Sequence, residues 1–416
     1  MFKNTIIGIS VAICCVINSY AGEVEVLHWW TSSGEAKAVE QLKEILARRG
    51  HTWRDFSVEG GGGGNAMIAL KQRVISGAPP AAALIKGPAI QEWASLGVLT
   101  NLDAMASFDN WDEQIPKAIS DTLKYKGHYV AVPVNIHRNN WLWANSMILQ
   151  KTGTSTMPQT WEEFFVVAEK ISKAGYTPLA IGGQDWQEMA IFDSVALGIG
   201  GPSFYKDAFI NLDKSALSSE SMRKSLLTFR KLKALTDKQA KGRDWNVATS
   251  MVVNGKAAFQ LMGDWAKAEF LVAKKKPNID FYCAAAPGTQ DKYSYLVDSF
   301  AMFQLKSWES QKAQGFLAYS LMSPEFQEKF NTQKGSIPVR QSVPLESFDD
   351  CAKLSLIDFK KSVSNNSLVP SVAFAQGTPP NIQSQIQSVI SSFWENDAMS
   401  IDEATTKLAA ITLRNK

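Results

Sequence analysis

A strand that runs directly into a helix, between residues 23 and 50, constrains the fold of this chain most strongly. The β-branched run Val24-Glu25-Val26-Leu27 ends in His28-Trp29-Trp30, and apolar side chains then recur at helical spacing over residues 39–46. This order predicts the first βα unit of a parallel α/β sheet. Ligands bind beyond the carboxyl ends of the strands in such sheets, so Trp29 and Trp30 are expected at the mouth of a cleft. The alternative is that one of the two lies in the core, because adjacent strand residues face opposite sides.

The start of this helix carries a signal of its own. Ser32 and Glu35 have the spacing of a capping box, in which each side chain accepts a hydrogen bond from the backbone of the other residue. Gly50 lies where a glycine commonly follows the end of a helix. The sequence therefore predicts a helix that begins after Ser32 and ends shortly before Gly50.

The composition is that of a globular chain long enough for two domains. Its 416 residues are 45% hydrophobic and 20% charged, which allows two separate cores. At the amino terminus, Lys3 precedes an apolar run over residues 6–17 and the small-residue site Ser19-Tyr20-Ala21. This order predicts a secretory signal peptide over residues 1–21, and the apolar run is too short to span a membrane. We therefore expect a soluble exported protein.

Charge and cysteine content narrow the possible functions. Removing Lys3 with the signal peptide turns 43 basic and 40 acidic residues into 42 and 40, a net charge of +2, which argues against a nucleic-acid partner. The cysteines that remain are Cys283 and Cys351, and in an oxidising compartment they are predicted to form a disulfide. The four histidines show no ligand spacing, so neither a metal site nor a cofactor is expected.

Polar or conformationally special residues follow several apolar runs further along the chain. The five glycines 60–64 separate a strand from a helix but lack the Lys-Ser/Thr of a P-loop, which favours a permissive loop or close ligand approach over phosphate binding. Lys86 follows a short apolar run at the same sheet edge as Trp29, where it is either solvated or a donor to a ligand. Pro133 interrupts the extended run 129–138, which predicts that the chain crosses there from one sheet to another.

Eight short motifs occur in order over nearly all of the mature chain. They are Leu27-His28-Trp29-Trp30, Gly60 to Gly64, Val132-Pro133-Val134-Asn135-Ile136-His137-Arg138, Thr160-Trp161-Glu162-Glu163-Phe164, Met262-Gly263-Asp264-Trp265, Asp298-Ser299-Phe300, Ser323-Pro324-Glu325-Phe326 and Lys334-Gly335-Ser336-Ile337. Each motif is weak by itself, but together and in this order they are specific. On these motifs the chain resembles the family-one extracellular solute-binding proteins of ABC sugar importers, and within them the glucose/mannose-binding type.

The resemblance implies an α/β, two-lobed periplasmic-binding-protein fold of type II, with a ligand cleft between lobes that are joined by crossing strands. The N-terminal lobe would comprise residues 22–132, with 299–337 returning to it, and the C-terminal lobe residues 135–296 with 340–416. It also implies a periplasmic monomer that has no catalytic activity and delivers a small-molecule sugar to a membrane ABC permease.

The lobes are expected to meet where apolar extended runs carry a Pro or Gly break. These breaks lie near Val132–Asn135, Val297–Ser299 and Gly335–Val339. Ligand binding is then expected to draw the lobes together by hinge bending.

The family's sugar-contacting positions can be carried over onto this chain. They correspond to Trp29, Trp30, Glu35, Lys86, His137, Trp245, Trp265, Asp298 and Lys334. The chemistry suits a hexose, because an indole packs on the C–H face of a pyranose while carboxylates and ammonium groups bind its hydroxyls. Purely structural roles remain open: Glu35 caps its helix, Asp298 pairs with a lysine, and Trp245 or Trp265 belongs to the core.

Two positions depart from the pattern of close glucose binders. Leu84 stands where those proteins have a glutamine, and Phe374 stands where they have a histidine. If both side chains line the pocket, two hydrogen-bonding groups are lost from it. A site that cannot meet a hydroxyl discriminates against the sugar that carries it, so we expect a ligand other than glucose or a relaxed specificity.

Two other classes of function fit parts of the sequence. Acids beside tryptophans also describe the cleft of a secreted glycoside hydrolase, in which Glu35 and Asp298 would be the two carboxylates. The order of the motifs favours binding over hydrolysis. A further possibility is an added role in docking to a chemoreceptor or as a chaperone.

Overall fold

The computed structural model describes residues 22–414, and the predicted signal peptide lies outside the described residues. The strands are β1 Glu23–His28, β2 Thr52–Ser57, β3 Ala82–Ile85, β4 Lys124–Tyr125, β5 His128–Tyr129, β6 Ala131–Pro133, β7 His137–Arg138, β8 Trp141–Asn145, β9 Thr177–Ala180, β10 Ala257–Leu261, β11 Phe281–Ala285, β12 Tyr293–Leu296, β13 Ser299–Met302 and β14 Leu368–Pro370. The helices are α1 Ser33–Ala47, α2 Gly64–Ile75, α3 Pro88–Ser95, α4 Asp103–Phe108, α5 Trp111–Gln114, α6 Lys117–Ser120, α7 Ser146–Lys151, α8 Trp161–Lys173, α9 Asp185–Phe209, α10 Lys214–Leu217, α11 Glu220–Lys233, α12 Trp245–Val253, α13 Lys267–Val272, α14 Trp308–Met322, α15 Pro324–Lys334, α16 Asp350–Ser364, α17 Pro380–Glu395 and α18 Ile401–Arg414. None of the described helices has both the length and the apolar character needed to cross a membrane.

The first sheet, on which the N-terminal lobe is built, has the strand order β2-β1-β3-β13-β6. β1 pairs in parallel with β2 and β3, as the predicted βα units require. β13 returns from late in the chain and pairs antiparallel with β3 and β6. The carboxyl ends of β1 and β3 therefore lie at one edge of this sheet, and this edge faces the second lobe.

The predicted first helix is confirmed as α1, and its start has the predicted capping box. Ser32 Oγ accepts a hydrogen bond from Glu35 N at 3.3 Å, and Glu35 Oε2 accepts one from Ser32 N at 3.4 Å. The apolar side chains Val39, Leu42 and Leu46 are buried in the same core as the side chains of β1. Burying this apolar stripe holds α1 against the sheet and fixes Glu35 at its edge.

The second sheet, on which the C-terminal lobe is built, has the order β11-β8-β10-β9. β8 pairs antiparallel with β10 and β11, and β10 pairs in parallel with β9. All five residues of β8 are buried, because helices and loops cover both faces of the strand. A strand buried on both faces needs no alternation of polar and apolar residues, which explains the sequence Trp-Leu-Trp-Ala-Asn.

A third, smaller sheet of order β14-β12-β7 lies where the chain passes between the lobes. Backbone hydrogen bonds join the crossing segments there: Val134 N donates to Asp298 O at 2.7 Å, and Ile136 N donates to Ile337 O at 2.9 Å. Phe359, Tyr293 and Tyr295, which fall in ranges expected for the C-terminal lobe, pack with the core of the first sheet. They do so because β12 and α16 lie beside the crossing segments.

The predicted disulfide is confirmed. Cys283 on β11 is bonded to Cys351 near the start of α16, with the two Cα atoms 6.0 Å apart and a sequence separation of 68. Asn278 and Asp350 add a side-chain hydrogen bond of 2.9 Å close by. The amino-terminal end of α16 is thus attached to the C-terminal lobe.

Candidate functional site

A cavity of about 430 Å³ lies between the two main sheets. Ten of its lining residues come from the N-terminal lobe, namely Trp29, Trp30, Thr31, Ser32, Glu35, Glu59, Gly60, Gly62, Lys86 and Lys334. Seven come from the C-terminal lobe, namely Gln184, Trp186, Asp244, Trp245, Asn246, Trp265 and Phe374. His137, Leu296 and Asp298 line it from the strands between the lobes. All nine residues carried over from the family border this one cavity, whose volume falls within the usual range of about 300–1,000 Å³ for small-molecule sites.

The two adjacent tryptophans at the end of β1 have different environments. Trp30 is 3% exposed and packs on Phe300 and Phe330, with ring centroids 5.5 and 5.4 Å away. Trp29 is half-buried, and a Cβ atom at Gly63 would come within 2.8 Å of its ring. The expected division is therefore present: Trp30 is mainly a core residue that borders the cavity, whereas Trp29 is its aromatic wall, packed against a glycine loop.

Two ion pairs lie at the cavity surface. Lys334 Nζ is 2.6 Å from Glu35 Oε1, and Lys86 Nζ is 3.1 Å from Asp298 Oδ1. The structural alternatives considered for Glu35 and Asp298 are thus both present, since Glu35 caps its helix and Asp298 pairs with a lysine. These contacts do not remove either residue from the cavity, because both still line it.

His137 lies behind this surface between two carboxylates. Its Nδ1 contacts Asp264 and its Nε2 is 3.2 Å from Asp298 Oδ2. Burial alone would lower the pKa of His137, but the charges of Asp264 and Asp298 outweigh burial and raise it. Burial would likewise raise the pKa of Asp298, but Lys86 and His137 hold it well below its usual range. Asp298 is therefore a fixed, ionised acceptor.

Asp298 lines the cavity, and its buried Oδ1 lies 3.1 Å from Lys86 Nζ, its ion-pair partner, without a well-oriented hydrogen bond from the described residues. Its other oxygen, Oδ2, accepts a hydrogen bond from Asn135 Nδ2 at 3.3 Å. A buried acceptor without a hydrogen-bond donor is costly unless a ligand supplies one. Asp298 is thus a cavity residue whose carboxylate can accept a hydrogen bond from a ligand.

The prediction that Leu84 lines the pocket is wrong. Leu84 is 0% exposed, does not line the cavity and lies in the N-terminal core, where it stands opposite Phe300 in the register of β3 and β13. All four residues of β3 are buried, so the sequence gives no alternation from which to tell the face of Leu84. Phe374, by contrast, lines the cavity and is 9% exposed.

The wall that carries Phe374 is held by a buried carboxylate. Asp193 on α9 accepts hydrogen bonds from Ser371 Oγ at 2.5 Å and Ala373 N at 3.2 Å, and also from Ser294 Oγ at 2.8 Å. The ring of Phe374 contacts Trp265 and Trp186, with centroids 5.2 and 6.0 Å away. Asp193 thus fixes the loop from which one aromatic side of the cleft is built.

Several lining residues, of which Trp186 is the most prominent, were not predicted from the sequence. Trp186 Nε1 donates a hydrogen bond to Gln184 Oε1 at 2.8 Å, and a Cβ atom at Gly62 of the opposite lobe would lie 3.3 Å from the Trp186 ring. Trp186 lies in the first turn of α9, beyond the loop that follows β9, whereas Trp29 follows β1 directly. The polar run Gln184-Asp185-Trp186 after a short buried strand is the sequence signal that could have indicated it.

In the part of the chain that the structure describes, no group of three or more His, Cys, Asp or Glu side chains is arranged to hold a metal ion. The two lysines and His137 are instead surrounded by carboxylates. The cavity thus combines aromatic walls with hydrogen-bonding groups, and each of its lysines is paired with a carboxylate. Such a site is built to hold an organic ligand that has both apolar and hydroxyl-bearing faces.

The sequence profile of the family described as "Bacterial extracellular solute-binding protein" matches residues 36–327. The chain belongs to this family. A "Probable sugar-binding periplasmic protein" of Mesorhizobium japonicum is 42% identical over 411 residues, which are 98% of each chain. Among solved structures, a "Chitin oligosaccharide binding protein" superposes with a TM-score of 0.79 at 16% identity over 95% of this chain and 98% of the other. The solute receptor AcbH, whose title states an exclusive preference for β-D-galactopyranose, superposes with a TM-score of 0.79 at 20% identity over 95% and 99% of the two chains.

Membership in this family settles the class of the protein. It is a periplasmic solute-binding protein of the two-lobed α/β type II fold and is not an enzyme. The hydrolase alternative is not favoured, and the chemistry agrees. The acid of a glycosidase needs a raised pKa, whereas the pKa of Asp298 is lowered by Lys86 and His137 against the effect of burial.

Proposed function

We propose that this protein binds a monosaccharide, a glucose-like sugar or a related hexose or polyol, in the cavity between its lobes. In this proposal it delivers the sugar to a membrane permease of an ABC importer. The described relative carries the words "sugar-binding" in its name, which supports a sugar as the ligand. The ligands named for the two structural neighbours differ from each other, so the kind of sugar has to be argued from the cavity itself.

The observation that carries the proposal is the buried, ionised carboxylate of Asp298, which lines the cavity between aromatic walls. A pyranose presents C–H faces that pack on indole rings, and each hydroxyl needs a partner once water is excluded. Trp29 and Trp265 supply flat apolar surfaces, while Asp298 offers an ionised acceptor. A hydroxyl of the sugar would donate to the Asp298 carboxylate beside its ion pair with Lys86.

Glu35 and Lys334 form the second polar position of the proposed site. Their ion pair of 2.6 Å leaves further acceptor and donor capacity on each group, because a carboxylate has several lone pairs and an ammonium has three hydrogens. The pair can therefore bind a hydroxyl on either member without being broken. We propose the same for Lys86, whose Nζ lies 5.1 Å from the Trp29 ring and 5.2 Å from the Phe374 ring.

Glucose itself is a weaker candidate than a related sugar. Phe374 provides a ring at a position where close glucose binders have a histidine, so one hydrogen bond to the ligand would be missing. Leu84 does not bear on this question, since it lies in the core. The proposed ligand is thus a sugar that lacks or repositions the hydroxyl that a histidine would meet.

A thermal-shift screen against hexoses, pentoses, disaccharides and polyols, followed by calorimetry on the hits, tests the proposal. A ligand that binds only the folded state raises the melting temperature by mass action. Asp298→Ala should weaken binding of the best sugar by about tenfold to a hundredfold, the usual loss for a hydrogen bond to a charged group. Asp291→Ala is the matched control, because Asp291 is an exposed carboxylate paired with Lys361 and does not line the cavity. Absence of binding by every sugar tested would refute the proposal.

A further inference from the structure

The charges that line the cavity do not balance. Its carboxylates are Glu35, Glu59, Asp244 and Asp298, and its ammonium groups are Lys86 and Lys334. Four negative and two positive charges leave a balance of −2. His137 does not alter this sum when it is counted together with Asp264, its buried partner, because a protonated imidazole and a carboxylate cancel.

No lining cation in the described chain is left without a carboxylate. Lys334 is held by Glu35 at 2.6 Å, and Lys86 is held by Asp298 at 3.1 Å. His137 lies between Asp264 and Asp298. An anionic group on a ligand would therefore meet only cations whose charge a neighbouring carboxylate already compensates, and that carboxylate would repel it.

The two carboxylates that produce the excess of negative charge come from opposite lobes. Glu59 lies in the loop after β2, and Asp244 immediately precedes α12. Both are exposed at the entrance of the cavity, and neither has a cation within ion-pair distance among the described residues. Asp244 Oδ1 accepts one hydrogen bond, from Gln184 Nε2 at 2.7 Å, and its second oxygen remains available.

We infer that the cleft selects sugars by charge: it accepts a sugar that carries a protonated amine, such as an unsubstituted 2-amino hexose, at least as well as the neutral parent sugar, and it discriminates against sugar acids and sugar phosphates. Glu59 and Asp244 are the residues that set this preference. The inference rests on the proposed function and names the class of sugar that the same cavity takes.

The size of the effect follows from the position of these two residues. They border water, so their interaction with a ligand charge is screened much more than that of a buried pair. One unit charge about 6 Å from another, in a medium between water and protein interior, changes affinity by about tenfold. A sugar acid is therefore expected to bind at least about tenfold more weakly than its neutral parent, and an amino sugar equally or more tightly.

The test is calorimetry with matched series in the gluco, galacto and manno configurations, each consisting of the neutral hexose, the 2-amino hexose and the uronic acid. The pH is chosen so that the amine is protonated and the acid ionised. The readout is the ratio of the dissociation constants within a series, for the wild type and for Glu59→Gln, Asp244→Asn and the double variant. The ratio between uronic acid and neutral sugar should fall severalfold in the double variant, and added salt should narrow it in the wild type. Glu113→Gln, an exposed acid outside the cavity lining, should leave both ratios unchanged.

Failure of the proposed function and failure of the charge selection give different results in this experiment. If no member of any series binds, the proposed function fails. If a neutral sugar binds but its uronic acid binds equally well, or its amino derivative binds tenfold more weakly, the charge selection alone is wrong. Unchanged ratios in the double variant would show that Glu59 and Asp244 do not set the preference.

Discussion

The contrast between Leu84 and Phe374 gives the sharpest prediction about which residues reach the ligand. Both positions differ from close glucose binders, but Leu84 is fully buried in the N-terminal core while Phe374 lines the cavity. Restoring polarity at the two positions should therefore have opposite consequences. Leu84→Gln should destabilise the protein without improving binding, and Phe374→His should change binding.

The magnitude for Leu84→Gln follows from its burial. The substitution removes much of the buried apolar surface of the leucine and places an amide among apolar side chains, where it has no hydrogen-bond partner. An unpartnered buried amide alone costs about 1–3 kcal/mol, and the lost apolar burial brings the total to about 3 kcal/mol or more. Leu96→Gln is the matched control, because Leu96 is 65% exposed and the change should stay within about 0.5 kcal/mol.

For Phe374→His, the expected gain is one hydrogen bond to the sugar. The imidazole keeps a ring beside Trp265 and Trp186 and adds a donor or acceptor toward the cavity. A regained hydrogen bond of about 1 kcal/mol corresponds to roughly fivefold tighter glucose binding. Urea unfolding of the ligand-free variants gives the stabilities, and calorimetry with glucose gives the affinities.

One result would refute this reasoning. If Leu84→Gln binds glucose more tightly than the wild type and unfolds at the same urea concentration, Leu84 reaches the ligand and its placement in the core is wrong. A Phe374→His variant with unchanged affinity for every sugar would show that this ring lies beside the cavity without contributing to recognition.

Three further predictions concern stability and the support of the cleft. Replacing Cys283 and Cys351 together by serine should lower the free energy of unfolding by about 4 kcal/mol on the loop-entropy account of a 68-residue separation, which equal urea midpoints with and without the bond would contradict. Asp193→Ala removes an acceptor from the wall at residues 371–376, so it should weaken sugar binding and lower the free energy of unfolding by about 3 kcal/mol. Asp193→Asn should retain part of the sugar affinity and part of the stability. Unchanged sugar affinity by calorimetry and unchanged unfolding in Asp193→Ala would contradict this prediction. Neighbouring charges hold the folded-state pKa of Asp298 well below the unfolded value of about 3.9, so the stability that Asp298 contributes is present above about pH 3.9 and is lost as the pH falls. Asp298→Asn should therefore flatten the acid side of the curve of stability against pH, and an identical slope in the variant and the wild type would refute this prediction.

Local signals in the sequence predicted the parts of this fold that depend on neighbouring residues. The capping box of Ser32 and Glu35 formed as expected, because both partners lie within one helical turn. The disulfide between Cys283 and Cys351 was predictable because an exported chain with two mature cysteines offers a single intramolecular pairing. The family resemblance added residues from distant parts of the chain that border one cavity.

Other features could not be predicted because they depend on contacts between distant segments. The ion pair between Lys334 and Glu35 joins residues 299 positions apart, and nothing near either residue indicates the other. Leu84 was misplaced because a strand buried on both faces has no polar alternation to show which side faces a ligand. Trp186 was missed because a loop separates it from β9, so it does not directly end a strand as Trp29 does.

The disulfide also determines what a protease can do to this protein. The segment from Cys283 to Cys351 contains β13, α14 and α15, which the C-terminal half of the chain contributes to the N-terminal lobe. A single cut within that segment leaves both products in one covalent molecule, and β13 stays paired with β3 and β6. No disulfide of the described chain spans a cut at the first crossing, near Pro133, so the two products of that cut are joined by noncovalent packing alone. Limited proteolysis should therefore give fragments that separate on a denaturing gel only after reduction when the cut lies between Cys283 and Cys351, and without reduction when it lies near Pro133.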